Sequence, residues 1–157
     1  MRNSWIAIFS VFTISLALGC TSTGNTDFTD SATGSMCAIE QDCQDIRLEI
    51  YHFHGTQQCY SCIRVGELAE QTVNTYFSDE LESGRIVFRH VNGELPENRD
   101  LVINYGATGS SLWIGTYIDG EFYKEENTRV WYKINNEQDF LNYLKSVLEK
   151  RLAGELT

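Results

Sequence analysis

The length and charge of the chain narrow its class before any motif is considered. Its 157 residues have room for one compact domain once an N-terminal export segment and a linker are deducted. With 22 acidic and 12 basic residues, the chain carries a formal net charge of −10 at pH 7. This charge argues against nucleic acid and anionic lipid head groups as partners, because phosphate groups attract basic surfaces.

Residues 1–19 predict a signal peptide of the lipoprotein type. After Met1 and Arg2, residues 5–18 are uncharged and either apolar or hydroxyl-bearing. Such a run is typical of a signal peptide and is too short for a comfortable membrane-spanning helix. A buried helix of the domain is the alternative. Removal of residues 1–19 leaves 11 basic and 22 acidic residues, a formal charge of −11.

Cys20 directly follows this run, and residues 16–20 (LALGC) resemble a bacterial lipobox. The resemblance implies that Cys20 becomes the lipid-carrying N-terminus of an exported protein. The lipid would then be the only membrane anchor, with the domain facing the periplasm or the cell exterior. Ordinary cleavage near Gly19 is the alternative. Residues 20–44 are rich in Ser, Thr and Gly and predict a tether.

The chain has five cysteines, which suits an oxidising compartment. If Cys20 carries lipid, four remain. Cys37 and Cys43 precede the first predicted strand, and in an exported chain they most simply form a local disulfide. They could instead exchange electrons with Cys59 and Cys62, or join that pair around zinc.

The first half of the domain reads as strand, helix, strand. Residues 46–54 alternate apolar and polar side chains, with β-branched and aromatic types, and predict a strand. From Cys59, apolar side chains recur at steps of three and four residues, which predicts a helix to about Leu81. Gly84 ends that pattern, and residues 86–91 predict a second, largely buried strand.

The second half reads as helix, hairpin, helix. Pro96 and Gly106 are placed to start and stop a short helix. Residues 112–124 predict two antiparallel strands joined by a turn at Asp119-Gly120. Residues 127–135 are compatible with a short strand or a packed loop. Asn136 predicts the N-cap of a final helix.

The order of these elements around the pair Cys59 and Cys62 resembles the thioredoxin fold. Residues 51–62 (YHFHGTQQCYSC) are similar to the first strand and C-x-x-C motif of small thioredoxin-like proteins. The resemblance covers residues 46–152 and predicts a thioredoxin-like domain at residues 45–153. It implies an α/β fold with a central mixed β-sheet flanked by helices.

Two positions depart from the thioredoxin pattern. Residues 105–112 (YGATGSSL) are similar to the family's Tyr-Gly-Val-x-Gly-x-Pro-Thr stretch, which places Ser111 at the position of the cis-proline. A peptide bond before serine strongly prefers trans. Counting back from Cys59 also puts Phe53 where thioredoxins carry a buried carboxylate.

The C-x-x-C pair at a helix start predicts dithiol chemistry. The free N–H groups and the helix dipole favour a thiolate on Cys59, the expected nucleophile, and Cys62 is expected to resolve the mixed disulfide. His52 and His54 share one face of the first strand. His54 is a candidate catalytic residue that could stabilise the thiolate or accept its proton, and two ordinary strand histidines are the alternative.

Three further residues are interpreted as packing residues. A single histidine at a strand end and tryptophans in apolar segments most often pack against their neighbours. His90, Trp113 and Trp131 fit this description. We therefore expect no functional role for them.

Together these residues predict a thiol–disulfide oxidoreductase that acts outside the cytoplasmic membrane. Its expected partners are protein or small-molecule disulfides or dithiols and a redox partner in the membrane or envelope, and no cofactor is expected. One alternative is a metal-binding protein in which Cys59, Cys62 and His54 hold copper or zinc. Another is a non-catalytic thioredoxin-like binding module.

Overall fold

The computed structural model describes residues 45–156 of the chain. The expected signal peptide, the Cys20 anchor, the tether and the Cys37–Cys43 pair lie outside the described residues. Within residues 45–156, no helix is both long enough and apolar enough to cross a membrane.

A four-stranded mixed β-sheet forms the centre of the domain. Its strands are β1 (Ile46–His54), β2 (Ile86–Asn92), β3 (Ser111–Ile118) and β4 (Glu121–Glu126), in the spatial order β2-β1-β3-β4. β1 pairs in parallel with β2 and antiparallel with β3, which forms a hairpin with β4. β1 is therefore a central strand with neighbours on both sides.

The helices flank this sheet. They are α1 (Tyr60–Tyr76), α2 (Ser78–Glu82), α3 (Arg99–Tyr105) and α4 (Glu137–Leu152), with short 3-10 helices at Pro96–Asn98 and Thr128–Tyr132. The architecture is α/β with a mixed sheet between helices, which confirms the expected fold class at this level.

The alternation along β1 separates two clusters of buried side chains. Leu48 and Ile50 pack with side chains of α1 and α4 in an aliphatic cluster on one face. Tyr51 and Phe53 point to the other face, where they pack with Tyr105 of α3 in an aromatic cluster. Both faces of β1 are therefore buried near the end of the strand that leads to Cys59.

Several local predictions are confirmed. Asp119 and Gly120 have φ values of 51° and 86° and close the β3–β4 hairpin. Gly106 ends α3 in the left-handed region with φ 76°. The side chain of Asn136 caps α4 by accepting the Asp139 N–H at 3.1 Å.

Two predictions were wrong in detail. The helix from Cys59 does not continue to Leu81 but breaks at Phe77, whose side chain is buried in the aliphatic cluster. The residues before the break, 72–76, are polar, β-branched or aromatic types of low helix propensity. β2 is an edge strand and not a largely buried one, because only Ile86 and Val91 are buried in it.

Candidate dithiol site

The two cysteines lie at the start of α1, after the loop that connects this helix to β1. β1 ends at His54, four residues follow, and Cys59 is the N-cap of α1. Cys59 is exposed and Cys62 is partly buried. The two residues form a disulfide with their Cα atoms 5.1 Å apart, within the ordinary range for such a bond.

Hydrogen-bond donors converge on the sulfur of Cys59. Its Sγ accepts the backbone N–H of Cys62 at 3.2 Å and lies 3.2 Å from the hydroxyl oxygen of Ser61. The first turn of α1 contains no acidic residue. Because a helix N-terminus favours negative charge, a thiolate formed at Cys59 on reduction would be stabilised by these groups.

Exposed apolar side chains flank the sulfur atoms. Tyr60 is 79% exposed and Ile63 is 44% exposed, both in the first turn of α1. Cys59 therefore lies in a surface that is open and partly apolar.

The loop before Cys59 is fixed by the loop that follows β2. Glu94 accepts the backbone N–H of Thr56 at 3.0 Å, and Asn92 donates from Nδ2 to the Thr56 hydroxyl at 3.0 Å. The hydrogen bond with Thr56 keeps the pKa of Glu94 below its usual value. These contacts join the turn before α1 to the end of β2 and the residues that follow it.

His54, the histidine expected to act on Cys59, lies beside the dithiol loop. Its Nδ1 is 2.9 Å from the carbonyl oxygen of Gly55, and its ring stacks on His52 with centroids 5.5 Å apart. Within the described part of the chain, no hydrogen bond joins His54 to Cys59. A catalytic role for His54 stays a prediction.

His52 and His90 form a pair that lies beneath α1. The strand register places them opposite each other on β1 and β2, and their Nδ1 atoms are 3.0 Å apart. The Nε2 of His90 is 3.3 Å from a carboxylate oxygen of Glu70, which α1 carries. His90, interpreted from sequence as a packing residue, therefore connects a buried histidine to a surface carboxylate.

The ring of His52 is buried and keeps one nitrogen without a partner. The residue is 1% exposed, and its Nε2 forms no hydrogen bond. Burial, followed by the neighbouring His90 and His54, lowers the pKa of His52 to about 4, whereas a hydrogen bond with the Cys62 backbone acts to raise it. His52 is therefore neutral at pH 7 and lies close to the helical turn that contains Cys62.

Gly66 makes room for this histidine pair. It lies in the interior of α1, four residues after Cys62 and thus on the same face of the helix. A Cβ atom at Gly66 would lie 2.5 Å from Nδ1 of His52 and 3.0 Å from Cε1 of His90. Only glycine lets the two rings pack this closely against the helix.

Phe53 and Ser111 are the two positions at which the sequence resemblance predicts departures from the thioredoxin pattern. Phe53 lies in the aromatic cluster on the α3 face, whereas its neighbour His52 is the buried polar residue of β1 on the α1 face. The described residues contain no cis peptide bond, so Ser111 is in the trans form. Its hydroxyl donates to the Gly109 carbonyl and accepts the indole N–H of Trp113, both at 3.1 Å.

Sequence reasoning identified the dithiol and missed the residues below it. His90 and Gly66 were not selected, because one looked like a packing residue and the other like an ordinary helical glycine. His52 and His90 each lie two residues before the end of their strand, and only the parallel register of β1 and β2 brings them together. Between residues 45 and 156, no group of three or more histidine, cysteine or acidic side chains is arranged to hold a metal ion.

Comparison with known proteins adds no family to this description. The chain matches no protein-family model and no curated protein.

Proposed function

We propose that this chain is a thioredoxin-like thiol–disulfide oxidoreductase that works through Cys59 and Cys62. The observation that carries the proposal is the asymmetry of the pair. Cys59 is exposed at the N-terminus of α1 with its sulfur accepting an N–H group, and Cys62 is more enclosed behind it. Nucleophilic and resolving thiols require this difference in access and stabilisation.

The order and direction of the strands support the thioredoxin-like fold. A central strand leads into the dithiol helix, the next strand pairs in parallel with it, and a hairpin and a final helix follow. Ser111, which the resemblance assigns to the cis-proline position, makes two hydroxyl hydrogen bonds, to Gly109 and Trp113. A trans serine offers a different surface from a cis-proline, so we expect substrates to dock differently than in thioredoxins.

In the proposed reaction, the Cys59 thiolate attacks a substrate disulfide and forms a mixed disulfide. Cys62 then attacks the sulfur of Cys59, so that the Cys59–Cys62 bond forms and the substrate leaves as a thiolate. Two electrons pass from the protein dithiol to the substrate. The reverse sequence oxidises a substrate dithiol, and a redox partner restores the starting state.

A redox titration with alkylation and mass measurement tests this proposal. The wild-type dithiol should titrate within the range of glutathione buffers. Cys62→Ser should trap mixed disulfides through Cys59, and Cys59→Ser, its matched control, should trap few. A pair that never titrates, or equal trapping by both variants, would contradict the proposal.

Export and lipid anchoring form a separate part of the proposal and depend on residues 1–44. The uncharged run and the lipobox-like residues before Cys20 support them. Mass measurement of the full chain expressed in bacteria should give a lipid-modified Cys20 at the mature N-terminus. Cys20→Ala should abolish that mass, and an unmodified chain that still begins at Met1 would contradict this part.

A further inference from the structure

We propose that a cavity between the end of β4 and α4 is a binding site for a small molecule that presents a carboxylate or phosphate group. The cavity has a volume of about 420 Å³, which is within the range of small-molecule sites. Its walls come from β4, α4 and the residues that follow β4. None of the lining residues belongs to α1 or to the loop before it, so the inference does not depend on the dithiol.

Buried polar side chains form part of the cavity wall. Arg151 of α4 is 4% exposed, and it donates from Nε and Nη2 to the two carboxylate oxygens of Glu125 at 2.6 and 3.0 Å. Asn127 is 7% exposed, and its Oδ1 accepts the hydroxyl of Tyr143 at 3.0 Å. All four side chains line the cavity. These hydrogen bonds are therefore in place without a ligand.

The side-chain amide of Asn127 has a donor to spare. The bond with Tyr143 uses only Oδ1, and within residues 45–156 the Nδ2 of Asn127 forms no hydrogen bond. Polar groups of buried side chains usually have partners. Because Asn127 is almost fully buried and lines the cavity, the cavity is where its N–H groups can meet an acceptor oxygen.

Two unpaired cations line the same cavity. Among the basic side chains of residues 45–156, only Arg99, Arg129 and Lys150 have no hydrogen bond, ion pair or ring contact in that range. Arg129 and Lys150 belong to the cavity lining. The planar guanidinium of an arginine can bond two oxygens of a carboxylate or phosphate, and a lysine adds a compact positive charge.

The acidic residues of the cavity leave positive charge in excess. The carboxylate of Glu125 is already paired with Arg151, so only Glu126 opposes Arg129 and Lys150. This excess stands out in a chain whose formal net charge is −10. The hydroxyl groups of Thr128 and Ser146, which also line the cavity, add neutral donors. These groups together favour an anionic ligand rich in acceptor oxygens.

Titration of the full chain with inorganic phosphate and with succinate, at constant ionic strength set by sodium chloride, tests the proposal. Calorimetry should give a dissociation constant of about 1 mM or lower for at least one of the two anions. The amide NMR signals of residues 125–129 and 143–151 should shift during the titration. Binding of one anion alone supports the site and identifies the group that it prefers. If neither anion shifts these signals, the proposal is overturned.

Charge-neutralising variants locate the binding. Arg129→Gln and Lys150→Gln should each raise the dissociation constant about 10-fold, because each removes a charge-assisted hydrogen bond. Arg99→Gln is the matched control, since it removes the same charge from an unpaired, exposed side chain outside the cavity. Glu126→Gln should lower the dissociation constant, because it removes the opposing charge.

The four substituted side chains are all exposed, so the variants should keep the fold. If Arg129→Gln or Lys150→Gln binds the anion as tightly as Arg99→Gln, the anion does not bind in this cavity and the proposal is overturned. Weaker binding by Glu126→Gln would contradict it equally. Each of these outcomes leaves the dithiol chemistry untouched, because no step of the titration uses the cysteines.

Discussion

The two faces of β1 differ in how completely a buried polar side chain is hydrogen-bonded. On the α3 face, the hydroxyl of Tyr105 is buried and donates to a carboxylate oxygen of Glu49 at 3.0 Å. On the α1 face, His52 is equally buried, yet one of its two ring nitrogens has no partner. A fully paired buried group adds rigidity, whereas a buried polar atom without a partner costs free energy.

Burial keeps both side chains neutral, with different results. Burial and the neighbouring Glu49 raise the pKa of Tyr105, so the hydroxyl stays a donor. Burial lowers the pKa of His52 to about 4, so the imidazole stays an acceptor. One face of β1 therefore holds a neutral donor in an aromatic cluster, and the other holds a neutral imidazole beneath α1.

The largest effect is expected on the aromatic face. Phe53→Ala should lower the free energy of unfolding by about 3–5 kcal/mol, because it leaves a cavity among rings that barely contact water. Urea denaturation measures the change. Tyr132→Ala, at a side chain that is 88% exposed, should change it by less than about 0.5 kcal/mol. A small loss in Phe53→Ala would mean that this face is not the stabilising one.

The next effect concerns the pH dependence of the histidine face. Because the pKa of His52 falls from 6.5 in the unfolded chain to about 4 in the folded one, its stabilising contribution is present above pH 6.5. That contribution is lost as the pH falls towards 4, and it is on the order of 3 kcal/mol. Urea denaturation across this range should give a shallower acid loss for His52→Leu than for the wild type. An NMR titration midpoint of His52 near 6.5 would show that burial on the α1 face does not keep this imidazole neutral.

A smaller effect is expected at the helix that covers the histidines. Gly66→Ala should destabilise the protein by about 1–3 kcal/mol, because the new methyl group meets the buried His52 ring. Helix propensity alone would favour alanine by about 1 kcal/mol, so the sign separates the two causes. Thermal unfolding measures the change in stability. The control is Gly109→Ala, where a Cβ meets nothing within 4 Å. Added stability in Gly66→Ala would show that the rings do not need the space.

The smallest effect is the loss of one hydroxyl. Tyr105→Phe should cost about 1 kcal/mol, since Glu49 keeps the Tyr117 hydroxyl at 3.4 Å as a partner. The raised pKa of Tyr105 stabilises the fold below the usual tyrosine pKa and is lost as the pH rises above it. Tyr105→Phe should therefore flatten the alkaline decrease in stability measured by urea denaturation. Tyr123→Phe, at an exposed tyrosine bonded to Glu121, is the control and should change little.

Local patterns predicted the elements well. The period-two alternation of residues 46–54, the Asp119-Gly120 turn and the Asn136 cap each depend on neighbours in sequence, and the structure contains all three. The break at Phe77 was missed because it depends on a distant core that accepts that ring. The helical periodicity of the sequence continues across such a break, so the pattern does not reveal it.

The dithiol could be predicted from spacing, and the histidine pair below it could not. His52 and His90 are 38 residues apart, and only the parallel register of β1 and β2 brings them together. Counting from Cys59 directed attention to Phe53, because the length of the loop after a strand does not determine which side chain faces the helix. Contacts between strands depend on tertiary structure and leave little trace in a local pattern.

Gly66 has a consequence for how such sites are found. The contact between its backbone and the His52 ring joins two residues that a sequence shows only as a glycine four positions after the second cysteine and a histidine seven positions before the first. A chain with C-x-x-C and a larger residue at that glycine has no room for an imidazole in this place. The spacing C-x-x-C-x-x-x-G, preceded by such a histidine, is therefore a search pattern for chains in which a buried imidazole packs against the helix that follows the cysteines.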